Sequence, residues 1–179
     1  RTCLVGSEMC IRDRSLNLVK IELGYEAFHA VILGNEQGRD LYKKKLMQLT
    51  EQYHLTNQIK FIDHCKDMAL AYKVSDIVIS PSIEPEAFGR VAVEAQSMEK
   101  IIIASNIGGS NETIIDGKTG LLFEAGDPNS LSKRIIQAVT LDESSYKRMG
   151  KEGRQNIAKK FNVEKMCFST YSEYKRLLN

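Results

Sequence analysis

Two glutamates eight positions apart, Glu86 and Glu94, bracket Phe88-Gly89-Arg90 in this 179-residue chain. Glu94 lies among Val91, Ala92, Val93 and Ala95, so its segment is apolar on nearly every side. A carboxylate there is costly to bury unless a donor meets it. From the residues alone two readings stay open: a Glu on the one exposed stripe of a helix, or a carboxylate accepting vicinal hydroxyls such as a ribose offers. Phe88-Gly89-Arg90 falls where that helix should begin. Unpaired N–H groups and the positive end of the helix dipole suit a diphosphate at such a place. Gly89 lets the backbone approach closely and Arg90 adds charge, although an ordinary loop-to-helix turn favours the same glycine. Gly108-Gly109 before Ser110 reads as a tight turn, an N-cap and a short helix, or as a plain strand-to-helix connection. Asp116-Gly117 reads as a turn with no chemistry.

The elements that must position these residues alternate. Ala30-Val31-Ile32-Leu33, Ile59-Lys60-Phe61-Ile62, Asp76-Ile77-Val78-Ile79-Ser80, Ile101-Ile102-Ile103-Ala104 and Gly120-Leu121-Leu122-Phe123 are mostly continuous apolar runs. Such runs suit strands covered on both faces, as in a parallel sheet. Helical character lies between them over residues 41–53, 67–74, 91–98 and 129–139, and residues 16–23 look like a helix running into Gly24. The pattern predicts an α/β doubly wound parallel sheet, whose ligands bind beyond the carboxyl ends of the strands. Residues 144–179 read as two helices broken near Phe161-Asn162-Val163, the second amphipathic through Val163, Met166, Tyr171, Tyr174 and Leu178. Residues 1–14 fit neither period and resemble translated adapter read-through fused to a gene fragment. They are taken as a non-native or disordered segment, and residues 15–179 as one α/β domain with its C-terminal helices.

Hydrophobic residues make up 42% and charged residues 27% of the chain, a globular balance. A net charge of +2 gives no argument for nucleic acid. No apolar run reaches the ~20 residues of a spanning helix, and no secretory leader is visible. Cys3, Cys10, Cys65 and Cys167 show no Cys-x-x-Cys spacing, and His29, His54 and His64 complete no metal pattern. Free thiols in a reducing cytoplasm and no bound metal are the expectation.

The whole ordered set over residues 81–127 resembles the donor-binding domain of GT-B-fold retaining glycosyltransferases, the family 4-like or group 1 enzymes with a Glu-x7-Glu motif. Pro81-Ser82 precedes Glu86-Ala87-Phe88-Gly89-Arg90-Val91-Ala92-Val93-Glu94, and Gly108-Gly109, Glu112-Thr113-Ile114, Asp116-Gly117-Lys118-Thr119-Gly120 and Gly126-Asp127-Pro128 follow in family order. The resemblance extends more loosely over residues 15–178. It implies that Glu86, the catalytic candidate, contacts donor-sugar hydroxyls and that Glu94 binds the ribose. The amides of Phe88, Gly89 and Arg90 would hold the diphosphate. Gly34 would be the glycine turn beside the phosphates, and Gly108 and Gly109 further donor-binding positions. The exit after Ile62 would line the nucleobase. It implies no cofactor beyond the nucleotide-sugar donor itself, and an acceptor that is a glycan or lipid-linked.

Departures accompany the match. The family's first strand carries an Arg and a Lys on the diphosphate, and residues 1–14 stand in its place without a matching pair. The first strand and the N-terminal acceptor domain are therefore expected to be missing, with the C-terminal amphipathic helix belonging against that domain. Glu99-Lys100 replaces the family's Gly-x-Pro turn. The intact enzyme is expected in envelope polysaccharide or lipopolysaccharide synthesis, cytoplasmic and peripheral at the inner membrane face. A flavodoxin-like nucleotide-binding module without catalysis and an inactive truncated fragment are the rivals. A glycosidase using the two carboxylates fits less well, because Glu94 on a largely apolar helix is poorly placed as a free acid or base.

Overall fold

Runs of β-branched residues become parallel strands here because helices cover both faces of the sheet they form. The computed structural model describes residues 2–5, 9–34, 40–62 and 65–178. The elements are β1 (Thr2–Val5), α1 (Met9–Leu23), β2 (His29–Leu33), α2 (Asp40–Gln52), β3 (Ile59–Ile62), α3 (Met68–Val74), β4 (Ile77–Ser80) and α4 (Arg90–Ser97). They continue with β5 (Ile101–Ser105), α5 (Ser110–Thr113), β6 (Leu121–Phe123), α6 (Pro128–Val139), α7 (Glu143–Lys160) and α8 (Val163–Leu178). The sheet is six-stranded, parallel throughout, in the order β3-β2-β1-β4-β5-β6. This is the expected doubly wound architecture, with the order reversing between β1 and β4.

Alternation along the central strands divides the core in two. Ile77, Ile79, Ile101, Ile103 and Leu121 pack with Leu16 and Val19 of α1 and with Leu131 and Ile135 of α6. Val78, Ile102 and Ala104 turn to the other face, where Ala71 and Tyr72 of α3 and Ala92 and Ala95 of α4 cover them. Helix starts carry the residues expected of caps: Asp67, Asp127 and Asp142 accept from the amides of Leu70, Asn129 and Ser145 at 2.9, 2.8 and 2.9 Å.

The N-terminal segment departs from expectation. The first-strand slot is filled: Thr2 to Val5 pair with His29 to Ile32 on one side, and Cys3 to Val5 with Ile77 to Ile79 on the other. Cys3 is fully buried, and the Thr2 amide donates to Asp76 Oδ2 at 2.7 Å. A four-residue strand is too short to show a period, and two neighbouring ladders supply the order that its own pattern does not. Residues 9–14 are likewise helical, in the first turns of α1. Arg12 and Asp13 are both fully buried there, paired at 2.8 Å. Arg12 Nη1 and Asp13 Oδ2 have no hydrogen-bond partner among the described residues. Burial pushes the Asp13 carboxyl up, against the hydrogen bond and charge of Arg12, so this pair is an expense to the fold.

The C-terminal helices break where expected, at the Phe161 C-cap of α7. Helix α7 lies tight against the far end of α4: a Cβ on Gly150 would come within 2.3 Å of the Glu99 carbonyl oxygen, and one on Gly153 within 3.2 Å of Gln96 Cγ. Helix α8 buries none of its residues, and Phe168, Tyr171 and Leu177 stand 71%, 66% and 74% exposed.

Glu99, just past the C-cap of α4, has φ +57°, a conformation that costs an L-residue about 1–2 kcal/mol. Its ion pair with Arg154, at 3.4 Å and largely exposed, offsets little of that. Glu99→Gly is therefore expected to stabilise the protein by up to about 1 kcal/mol in urea unfolding, and Glu99→Val to destabilise it.

Candidate functional site

The site is built where β4 and β5 end. After Ser80 the chain passes through residues 81–89 and enters α4; after Ser105 it passes through residues 106–109 and enters α5. The two connections lock together. The Gly109 amide donates to the Glu86 carbonyl at 2.8 Å. A Cβ on Gly108 would meet Glu86 O at 2.5 Å and Glu86 N at 2.9 Å, and one on Gly109 would meet Phe88 C at 2.6 Å. Gly108 also has φ +54°. Only glycine lets the second turn come this close under the first.

That seating presents the Glu-x7-Glu segment to a cleft of about 880 Å³ between α3, α4 and the loop before α4. Its wall includes Met68, Ala69 and Tyr72 from α3, Glu86 to Val91 from the loop and first turn, and Val93, Glu94, Ser97 and Met98 further along α4. Gly89 is the N-cap of α4, in the left-handed region at φ +71°, with no side-chain cap. Among the described residues the amides of Phe88, Gly89 and Arg90 donate to no protein acceptor. The N-terminus of α4 therefore offers free donors and a positive dipole end to the cleft. Arg90 and Glu94, four apart on α4, share its exposed face.

Both glutamates are exposed and oriented by a neighbour. The Ser82 hydroxyl donates to Glu86 Oε1 at 2.5 Å. The Tyr72 hydroxyl donates to Glu94 Oε2 at 2.8 Å. Glu94 is thus on an exposed stripe and at the same time faces a cleft, so the two readings of this residue are not exclusive. Tyr72 was missed by sequence reasoning. It precedes Glu94 by 22 positions and no motif connects them; only the packing of α3 beside α4 does.

The remaining site residues fall outside the cleft wall. Gly108 and Gly109 stand beneath the loop, as its support. Gly34 directly follows β2, its amide donating to the Ile62 carbonyl at 3.1 Å, on the same carboxyl edge of the sheet but away from α4. Residues 63–64, next to the expected nucleobase region, lie outside the described residues. Phe88 also forms an edge-to-face contact with Phe161, at 5.6 Å between ring centroids, which brings the α7–α8 junction to the rim of the site. Cys65 and Cys167 are free thiols.

Residues 15–156 match the family described as Glycosyl transferases group 1, and the chain belongs to that family. A glycosyltransferase of Methanocaldococcus jannaschii is 31% identical over 138 residues, which cover 74% of this chain and 38% of that protein. The capsular polysaccharide biosynthesis glycosyltransferase CapM of Staphylococcus aureus is 27% identical over 88% of this chain and 40% of its own length. A crystal structure of a glycosyltransferase from Rickettsia africae aligns with a TM-score of 0.86 at 30% identity, over 99% of this chain and 48% of that one. Anabaena HepE, crystallised with UDP and glucose, shares the fold, with a TM-score of 0.79 at 22% identity over 96% of this chain and 48% of that one. The chain spans less than half the length of these relatives. The fold is that of the C-terminal, Rossmann-like domain of GT-B glycosyltransferases.

The seating of the two turns predicts that Gly109→Ala displaces residues 86–88 and lowers affinity for any ligand of the cleft by tenfold or more. Gly34→Ala, with open space within 4 Å of the added carbon, should leave residues 86–88 in place. Comparing the crystal structures of the two variants checks both outcomes.

Proposed function

We propose that the chain is the donor-binding half of a retaining glycosyltransferase, which moves a sugar from a nucleotide diphosphate to a glycan or lipid-linked acceptor. One observation carries the reading: free amides at the N-terminus of α4 and the two oriented carboxylates open onto a single cleft. In this reading the amides of Phe88, Gly89 and Arg90 take the diphosphate and Glu94 the ribose hydroxyls. Glu86 holds hydroxyls of the donor sugar. The bond from the anomeric carbon to the diphosphate oxygen breaks, and a bond to the acceptor oxygen forms on the same face. The acceptor's proton passes to the leaving phosphate, so no protein nucleophile is required. The contribution of this half is to stabilise the charge that builds on the leaving diphosphate, by donors already in place.

The UDP bound in HepE supports a nucleotide-diphosphate donor, and the capsular role in CapM's name supports an envelope polysaccharide context. The uncovered apolar face of α8 is assigned to the partner domain of the whole enzyme, which acts in the cytoplasm at the inner membrane face.

Calorimetric titration with UDP, GDP, ADP and their sugar conjugates tests the proposal. One nucleotide should bind selectively, and Glu94→Ala should weaken it about 10- to 100-fold, the value of a hydrogen bond to a charged group. Glu86→Ala should remove only the extra affinity given by the sugar. Binding that ignores the sugar and Glu86 would instead identify a nucleotide module without transfer chemistry.

A further inference from the structure

Glu94 is a long, exposed side chain, and a free glutamate loses rotamer freedom when it is fixed by a ligand. In this protein part of that ordering is done beforehand. Tyr72 is only 3% exposed, packed in the core face shared by α3 and α4. Its backbone carbonyl accepts from the Ser75 hydroxyl at 2.8 Å, which ties the end of α3. From that fixed base the phenol reaches the cleft wall and donates to Glu94 Oε2. No protein donor to Oε1 is found among the described residues, so that oxygen and the second lone pair of Oε2 remain for a ligand.

We propose that Tyr72 is a positioning residue for the donor site: it holds the Glu94 carboxylate in the orientation that accepts a ribose diol, and so sets the preference for ribonucleotides. The inference rests on the assignment of Glu94 to the ribose. The groups facing the phenol are Glu94 and Arg90, both on α4. Burial, then the hydrogen bond and charge of Glu94, push the phenol well above the ordinary tyrosine range, against a smaller opposing effect of Arg90. The hydroxyl therefore keeps its proton, and can donate it, around neutral pH.

A tyrosine that merely ties α3 to α4 would affect all ligands of the cleft alike. A positioning tyrosine acts only on ligands that carry the diol. The test uses the full chain and titrates UDP, GDP and ADP beside their 2′-deoxy forms, in wild type, Tyr72→Phe, Glu94→Gln and the double variant. Wild type should prefer the ribonucleotide by tenfold or more. Tyr72→Phe should cut that preference about three- to tenfold while 2′-deoxy affinity stays within twofold. The double variant should match Glu94→Gln alone, because the tyrosine acts through the glutamate. An equal loss for both sugars, or additive effects in the double variant, would overturn the inference. A wild type without ribose preference would sink the ribose assignment of Glu94 itself, and the inference with it. If Tyr72→Phe melts early, Tyr72→Met, which also removes the donor, takes its place and is held to the same ratios.

Discussion

The contact on which the site depends is the seating of Glu86 and Phe88 on Gly108 and Gly109. It joins the exits of two adjacent strands, β4 and β5, through one 2.8 Å hydrogen bond and several backbone approaches that no side chain would permit. The loop before α4 is then not free to follow solvent. Its last residue, Gly89, is the N-cap of α4 in a left-handed conformation, and the first turn of the helix lines the cleft. In the proposed reading, a diphosphate would meet donors already arranged, with little reorganisation left for the moment of reaction.

Everything behind that contact is packed to keep α4 still. Strand β5 is buried along its whole length, and β4 nearly so. Helix α7 brings Gly150 and Gly153 against the end of α4, which trades helix propensity in α7 for close approach. The left-handed Glu99 lies at the same junction, one residue past α4's C-cap. The strand order reverses between β1 and β4, beside the strand that feeds the site, where open parallel sheets leave a crevice for ligands. Rigidity in the sheet and in α7 thus supports a site whose own polar side chains are exposed.

Much of this was legible in the residues. Continuous apolar runs marked five strands, and the Asp-Pro start of α6 and the Phe161 break were readable as punctuation. Glu86, Gly89 and Glu94 were legible because one loop and one helix turn carry them, so spacing alone brings them to the same cleft. What was not legible depends on tertiary contact. Thr2–Val5 is a strand because β2 and β4 leave a slot for it. The glycine pair read as a ligand turn or a plain connection, whereas its tightest contacts are with Pro85 to Phe88. Tyr72 had no signal of its own; a buried aromatic on a short helix looks like core until its hydroxyl is seen on Glu94.

The most direct test of the central claim, that this cleft receives the nucleotide diphosphate, is amide chemical-shift mapping of the folded chain during titration with UDP, GDP and ADP. The account predicts that one nucleotide moves the amides of Phe88, Gly89 and Arg90 most, with Glu94 and Tyr72 next and α8 unchanged. Shifts centred on α8 or on α6, or none at all from a folded sample at millimolar nucleotide, would contradict it.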